Sequence, residues 1–270
     1  MAAGLQAVLW SCPLTDLLEN SMRTRSSLIL KSFLCSLLSL GVCVSGLRAA
    51  DTPKDLPAGY RLLYEQNEQN LEGEGALKEF VFTDPKAWKW SKDEKSAALE
   101  LVKQSEYKPK VRSPVNIALI ADKVFGDFVL EADFIQTGKE YGHRDMCIFF
   151  GVTDPSKFYY VHIATAADPN AHNVFIVNDQ PRRNIAKETT KGVNWGLGVW
   201  HKVRIERSAS AGTIRVFFDD LSKPIMLAED KTFASGFIGF GSFDDTGKVD
   251  NIRIWGAKVE TKKTEFYAHP

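Results

Sequence analysis

The sequence predicts an all-β fold, a two-sheet antiparallel β-sandwich, and three observations lead there. Ten short apolar runs fall within about 160 residues, turn-forming residues separate them, and no stretch shows a convincing helical period. The runs are Ala97 to Val102, Asn116 to Ile120, Asp127 to Ile135, Met146 to Val152 and Phe158 to Ala164. They continue with Asn173 to Val177, Trp200 to Arg207, Thr213 to Phe218, Gly236 to Phe243 and Val249 to Gly256. The breaks between them have turn chemistry: Asp154-Pro155, Asp168-Pro169-Asn170, Ser210-Ala211-Gly212 and Asp244-Asp245-Thr246-Gly247.

Alternation with period two assigns faces. In Phe158 to Ile163, one side carries Phe158, Tyr160 and His162, and the other carries Tyr159, Val161 and Ile163, which belong in the core. In Trp200 to Glu206, Val203 and Ile205 point inward while Lys202, Arg204 and Glu206 point to a wet face. Ile214, Val216 and Phe218 repeat the scheme.

Composition agrees with one sizeable core. Of 270 residues, 44% are hydrophobic and 11% aromatic, with 34 basic and 34 acidic side chains. A net charge of zero offers no field for a polyanion, so nucleic acid is not expected as a partner.

The first fifty residues read as targeting sequence. From Met22 a basic stretch (Arg23, Arg25, Lys31) precedes an apolar run from Ser32 to Val44 and small residues ending at Ala49 and Ala50. Residues 22–50 are therefore expected to be a signal peptide, and the mature protein to be secreted or periplasmic. The apolar run is shorter than the ~20 residues that span a bilayer, so no membrane span is expected after its removal. Val42 ahead of Cys43 argues against lipidation. Residues 1–21, with Asp16 and Glu19, fit no targeting pattern and read as an extension upstream of the true start. Beyond Ala50 the chain divides into a polar lead-in segment (51–75) with an apolar patch at Tyr60 to Tyr64, a sandwich (76–260) and a C-terminal tail (261–270). After removal of residues 1–50, Cys147 is the single cysteine, which excludes an internal disulfide. Its apolar surroundings predict a buried thiol.

The strand order and the closing run Gly236-Phe-Ile-Gly-Phe-Gly-Ser-Phe-Asp-Asp-Thr-Gly-Lys-Val-Asp-Asn-Ile-Arg-Ile254 resemble the concanavalin A-like lectin/glucanase superfamily. Asp127-Phe-Val-Leu-Glu131 and Phe82-Thr-Asp84 with Trp88 resemble earlier strands of the same jelly roll, over roughly residues 80 to 256. The resemblance implies a jelly-roll sandwich and a range of functions. Lectins, laminin G modules, family 16 glycoside hydrolases, lyases and 3-keto-disaccharide hydrolase domains all share it, and fold does not choose among them.

The family 16 machinery needs a Glu-x-Asp-x-(x)-Glu strand. Here Glu131-Ala-Asp133-Phe-Ile-Gln136 ends in an amide that has no proton to give, so that reaction is not expected.

The densest polar grouping lies between residues 143 and 183: His143, Arg144, Asp145, Tyr160, His162, His172, Asn173 and Arg182. Neighbouring short strands bring these side chains toward one sheet face, and planar amide, guanidinium and carboxylate groups beside aromatic rings suit sugar hydroxyls. The expected partner is an oligo- or polysaccharide. Trp195, in the glycine-rich stretch Gly192 to Gly198, is the expected exposed platform, the other tryptophans being core. Asp244 and Asp245 are a turn device with a secondary place on the cleft.

An enzymatic alternative, of the 3-keto-glycoside hydrolase or lyase type, would use Asp145, His162 or His172 as acid or base. A laminin G-like interaction module would instead show a contiguous exposed apolar patch. His143, Asp145, His162 and His172 lack the spacing of a transition-metal motif. A structural calcium at Asp250, with Asp84 as partner, is what the resemblance implies for a metal. No Walker loop, dinucleotide fingerprint or nucleophile elbow is present in the sequence.

Overall fold

Two antiparallel sheets face one another across an apolar layer, in a computed structural model that describes residues 52–66, 74–92 and 97–270. The expected signal peptide and upstream extension lie outside the described residues. One sheet runs Ala186–Thr189, Met226–Glu229, Thr213–Phe218, His201–Ser208, Phe128–Gln136, Gly247–Gly256, Ala97–Leu101 and Trp88–Lys92, with Arg61–Gln66 added against Gly247–Gly256. The other runs Arg183–Asn184, Asn173–Asn178, Lys157–Ala164, Asp145–Asp154, Phe237–Ser242, Asn116–Ile120 and Phe80–Phe82. Two facing antiparallel sheets are the fold that both the strand pattern and the concanavalin A-like resemblance imply.

The inward residues are those the alternation assigns. Tyr159, Val161 and Ile163 meet Leu130, Ala132, Phe134, Val203 and Ile205 in one core. Phe128 and Phe150 touch edge to face at 5.8 Å across the layer, and Phe134 and Phe240 lie 6.1 Å apart. Gly241 keeps its strand close to Asn116–Ile120: a Cβ there would stand 1.9 Å from the Asn116 carbonyl oxygen.

The second sheet is buried on its outward face too. Phe149, Phe158, Tyr160, Phe175 and Phe237 form a second apolar cluster, covered by Val111, Phe266 and Tyr267. The last residues are therefore docked: Phe82 and Ala268 exchange backbone hydrogen bonds of 2.8 and 2.9 Å, which pairs the edge strand Phe80–Phe82. The sheet face expected from the sequence to be open and polar carries this apolar cluster instead, with Val111, Phe266 and Tyr267 packed against it.

The wet face of the first sheet is charged as predicted but only partly wet. Arg204 is buried, paired to Asp55 and Glu206 at 3.0 Å, with Glu131 at 3.7 Å. The lead-in segment thus clips onto the domain by an ion pair and by the strand Arg61–Gln66. Cys147 is a buried free thiol.

Candidate functional site

The site lies where the turn after Phe243 folds over the start of the strand Asp145–Asp154. Two reciprocal hydrogen bonds hold it there: Asp145 donates its N–H to Asp245 Oδ2 at 2.9 Å, and Phe243 donates its N–H to Asp145 Oδ2 at 2.9 Å. The Tyr141 hydroxyl donates to the same Asp245 oxygen at 2.8 Å.

His162 stands on the neighbouring strand, in register with Cys147 and with Asn173. The main-chain N–H of His172 donates to its Nδ1 at 3.2 Å, so the neutral ring carries its proton on Nε2, which faces Asp145 Oδ2 at 3.6 Å. Burial, with help from the nearby Arg182 charge, pushes the His162 pKa down to about 3. Burial raises the Asp145 carboxyl well above its usual range, reinforced by the charge of Asp245, and it raises the Cys147 thiol as well. Asp244 is raised by burial and by Asp245.

Arg182 completes the wall. Its Nη1 donates to the Tyr160 hydroxyl at 3.0 Å, and its guanidinium lies 4.3 Å from the Phe243 ring centre and 5.0 Å from that of Phe175. Its backbone N–H donates to the Arg112 carbonyl at 3.0 Å, which brings Arg112 to the same rim, with its guanidinium 5.9 Å from Phe243. The result is a cleft of about 190 Å³ lined by His143, His162, Arg182 and Asp244, with Arg112, Tyr141, Asn170 and Phe243 around them. That is below the roughly 300–1,000 Å³ of sites for drug-sized ligands and matches a single small ring.

Larger grooves, of about 300, 340, 360 and 370 Å³, lie elsewhere, and in the two largest the charged groups are already engaged. In the first, Arg215 pairs with Glu206, Asp55 with Arg204, and Arg207 donates to backbone carbonyls. In the second, Lys258 pairs with Glu260 and Asp127 accepts the Ala209 N–H.

Of the residues singled out in the sequence, His143, His162 and Arg182 line the cleft, and Tyr160 lies beneath it as the acceptor for Arg182. His143 is half exposed and pairs with Asp168 at 2.6 Å. Asp145 is fully buried under the turn. Arg144 turns away: it is 2% exposed and donates to the Gln136 side chain, the Gln136 carbonyl and the Gly196 carbonyl. His172 and Asn173 serve the chain itself. His172 Nδ1 accepts the Ala164 N–H at 3.3 Å while its Nε2 faces Thr190 at 2.9 Å, and Asn173 donates to the carbonyls of Asp168 and Ala171.

Trp195 corrects an expectation. Its ring is 1% exposed, packed edge-on against His201 at 5.5 Å and Phe218 at 5.1 Å, so it is core and not a platform. The glycines around it let the loop turn its indole inward, and Leu197 is the residue left outside.

The residues expected to hold calcium are engaged with the backbone. Both Asp84 oxygens already accept backbone N–H groups, of Lys86 and Glu106, and Asp250 Oδ1 accepts the Asn251 N–H. Among the described residues, neither belongs to a group of three donors able to hold an ion. Nor do His143, Asp145, His162 and His172 converge: His143 and His172 are committed to Asp168 and to the turn around Ala164.

Arg112, Tyr141, Asn170 and Phe243 escaped the sequence reading as site residues. Asn170 and Phe243 were legible as a turn residue and a strand end, whereas Arg112 and Tyr141 lie in stretches without periodicity.

No protein-family model matches the chain, and no curated protein matches it significantly. Similar solved structures are the carbohydrate binding module CBM66 from Bacillus subtilis, domain 4 of an extracellular arabinanase, and a plant lectin. The first is 16% identical, covering 68% of this chain and 96% of that one, at a TM-score of 0.45. The arabinanase domain, from Geobacillus stearothermophilus and solved with arabinotriose, is 11% identical over 76% of this chain and 95% of that one, at 0.47. Lectin I-B4 from Griffonia simplicifolia, in a metal-free form, is 14% identical over 71% and 97%, at 0.44.

Proposed function

We propose that the protein is an exported carbohydrate-recognising domain and that a sugar ring sits in the cleft between Arg182 and Tyr141. The observation that carries this is the state of Arg182. Among the described residues its side chain hydrogen-bonds Tyr160 alone, and no carboxylate pairs with it. A guanidinium oriented by an aromatic stack and a tyrosine, yet left with free N–H groups in a cleft, is prepared to donate to neighbouring hydroxyls. Asp244 offers the complementary acceptor, the Asn170 amide lies on the same wall, and Tyr141 presents a ring 43% exposed whose hydroxyl is tied back to Asp245. The export part of the reading rests on the pattern from Met22 to Ala50.

Binding is better supported than turnover. Asp145 and His172 are sealed from the cleft, and the accepting nitrogen of His162 is already occupied. An interaction module is less supported, because the chain covers its own apolar sheet face and leaves exposed only Leu62, Val102, Tyr141, Leu197 and Val199 among large apolar residues described. A glycan array screened with the wild type, Arg182→Ala and Tyr141→Ala tests the proposal. Each substitution should weaken binding by roughly 10- to 100-fold, the worth of a lost charged hydrogen bond or stacking face, in a variant that still unfolds cooperatively at a somewhat lower temperature because Tyr160 or Asp245 loses its partner. Undiminished binding by Arg182→Ala, or no glycan bound by the wild type, overturns it.

A further inference from the structure

Asp145, Asp244 and Asp245 each offer a carboxylate oxygen, and the three oxygens lie within 4.8 Å of one another. Asp145 comes from the start of a strand, while the other two come from a turn about a hundred residues later, so no local sequence motif announces the group. Acidic residues crowd many protein surfaces without consequence. Here a second observation sets the group apart.

Asp145 is fully buried, and its two oxygens are treated unequally. Oδ2 accepts the Phe243 N–H at 2.9 Å and the Cys147 S–H at 3.1 Å, and faces the protonated Nε2 of His162 at 3.6 Å. Oδ1 is buried with no hydrogen-bond partner. Asp245 Oδ2 accepts from Tyr141 and from the Asp145 N–H. A buried carboxylate oxygen without a donor, beside two further carboxylates, is costly unless a proton or a cation lies among them. The cationic groups nearby, Arg112 and Arg182, stand on the cleft side, and among the described residues neither forms an ion pair with these three acids.

One proton shared between Asp145 and Asp245 would engage that pair alone, with Asp244 left to solvent and to the Arg112 and Arg182 charges, whereas a divalent ion draws on all three oxygens. Asp244 is exposed to the cleft and gives a hydrated ion a way in. All three donors are hard oxygens, the ligand type of calcium. The adjoining group Asp145, Cys147 and His162 is unsuited to a softer metal, because its thiol and imidazole protons are spent on Asp145 and the other imidazole nitrogen on His172.

We propose that Asp145, Asp244 and Asp245 hold a divalent cation of the calcium class beneath the cleft, with water completing its shell. The ion would tie the turn carrying Phe243 to the strand carrying Asp145. It stands independently of the sugar reading, since its test contains no sugar.

The test is calcium titration by calorimetry and by thermal melting on chelator-treated protein, for the wild type, Asp244→Asn and Asp145→Asn. The wild type should bind one Ca²⁺ per chain and melt higher with it. Asp244→Asn, a change at an exposed position, should bind at least roughly tenfold more weakly while its calcium-free melting stays at the wild-type value. No heat and no melting shift with millimolar calcium would overturn the proposal. So would an Asp244→Asn variant binding like the wild type, which would place the ion elsewhere. Should Asp145→Asn stabilise the calcium-free protein while calcium leaves the wild type unchanged, the acids share a proton and the proposal also fails.

Discussion

Gln136 is the clamp for Arg144. The Arg144 guanidinium donates from Nε to the Gln136 side-chain oxygen and from Nη2 to the Gln136 carbonyl at 3.0 Å, and the Gly138 N–H donates to the same side-chain oxygen at 2.7 Å. The amide that stands in place of a family 16 acid thus does structural work. It also turns Arg144, one residue before Asp145, away from the cleft. Arg144→Ala should cost about 3 kcal/mol, because a buried charged network loses its donor. Arg144→Lys should not restore it, since an ammonium cannot reproduce the planar fork. Urea unfolding of the three proteins measures both.

Trp195→Ala should lower stability by about 3–5 kcal/mol through the cavity it leaves against His201 and Phe218. Glycan affinity of the folded fraction should not change. A drop in affinity with unchanged melting would restore the platform role that burial denies it.

Gly241→Ala should be among the most damaging single changes. Its Cβ would meet the Asn116 carbonyl at 1.9 Å, an atom held in a ladder between central strands, so the strands must part. Soluble yield and the melting curve would show a loss of several kcal/mol, while Gly59→Ala, with open space around it, should lose far less despite its positive φ.

The imidazole of His172 should make the protein acid-sensitive. Burial lowers its pKa to about 4 from an unfolded value near 6.5, and its main-chain N–H is bonded to the His162 ring. The unfolded chain therefore binds the proton first. The stability that neutral His172 contributes is complete above about pH 6.5, falls by up to ~1.4 kcal/mol per unit below that, and levels off near pH 4. His172→Asn suits the positive φ of 54° and should roughly halve the slope in urea titrations run between pH 4 and 7, the remainder belonging to His162, whose pKa burial also lowers, to about 3.

Removing residues 263–270 should uncover Phe237 and unpair Phe82. Lower melting and new binding of a hydrophobic dye are the expected outcome. An unchanged melt would mean that the docked tail contributes little.

How far the sequence reaches can be read at Tyr159 and Tyr160. Alternation told the two apart correctly, the first into the core between sheets and the second outward, because side-chain direction in a strand is a local property. It gave no hint that Tyr160 is itself covered, with the Phe175 ring stacked on it at 5.0 Å and the Arg182 guanidinium on its hydroxyl. The same division runs through the site. Its residue types, His143, His162 and Arg182, were legible as a polar cluster on neighbouring strands. Arg112 and Tyr141 were not, because they sit in irregular segments that period and turn chemistry do not describe.

From the sequence alone came the sandwich, the inward face of each principal strand and the absence of a family 16 acid at residue 136. The tertiary structure decided which polar residues face the cleft and which are spent inside, and it set Asp145 against Asp245, a hundred residues away. Strand alternation acts between adjacent residues, whereas the pairing of distant segments depends on which surfaces bury one another when the two sheets close.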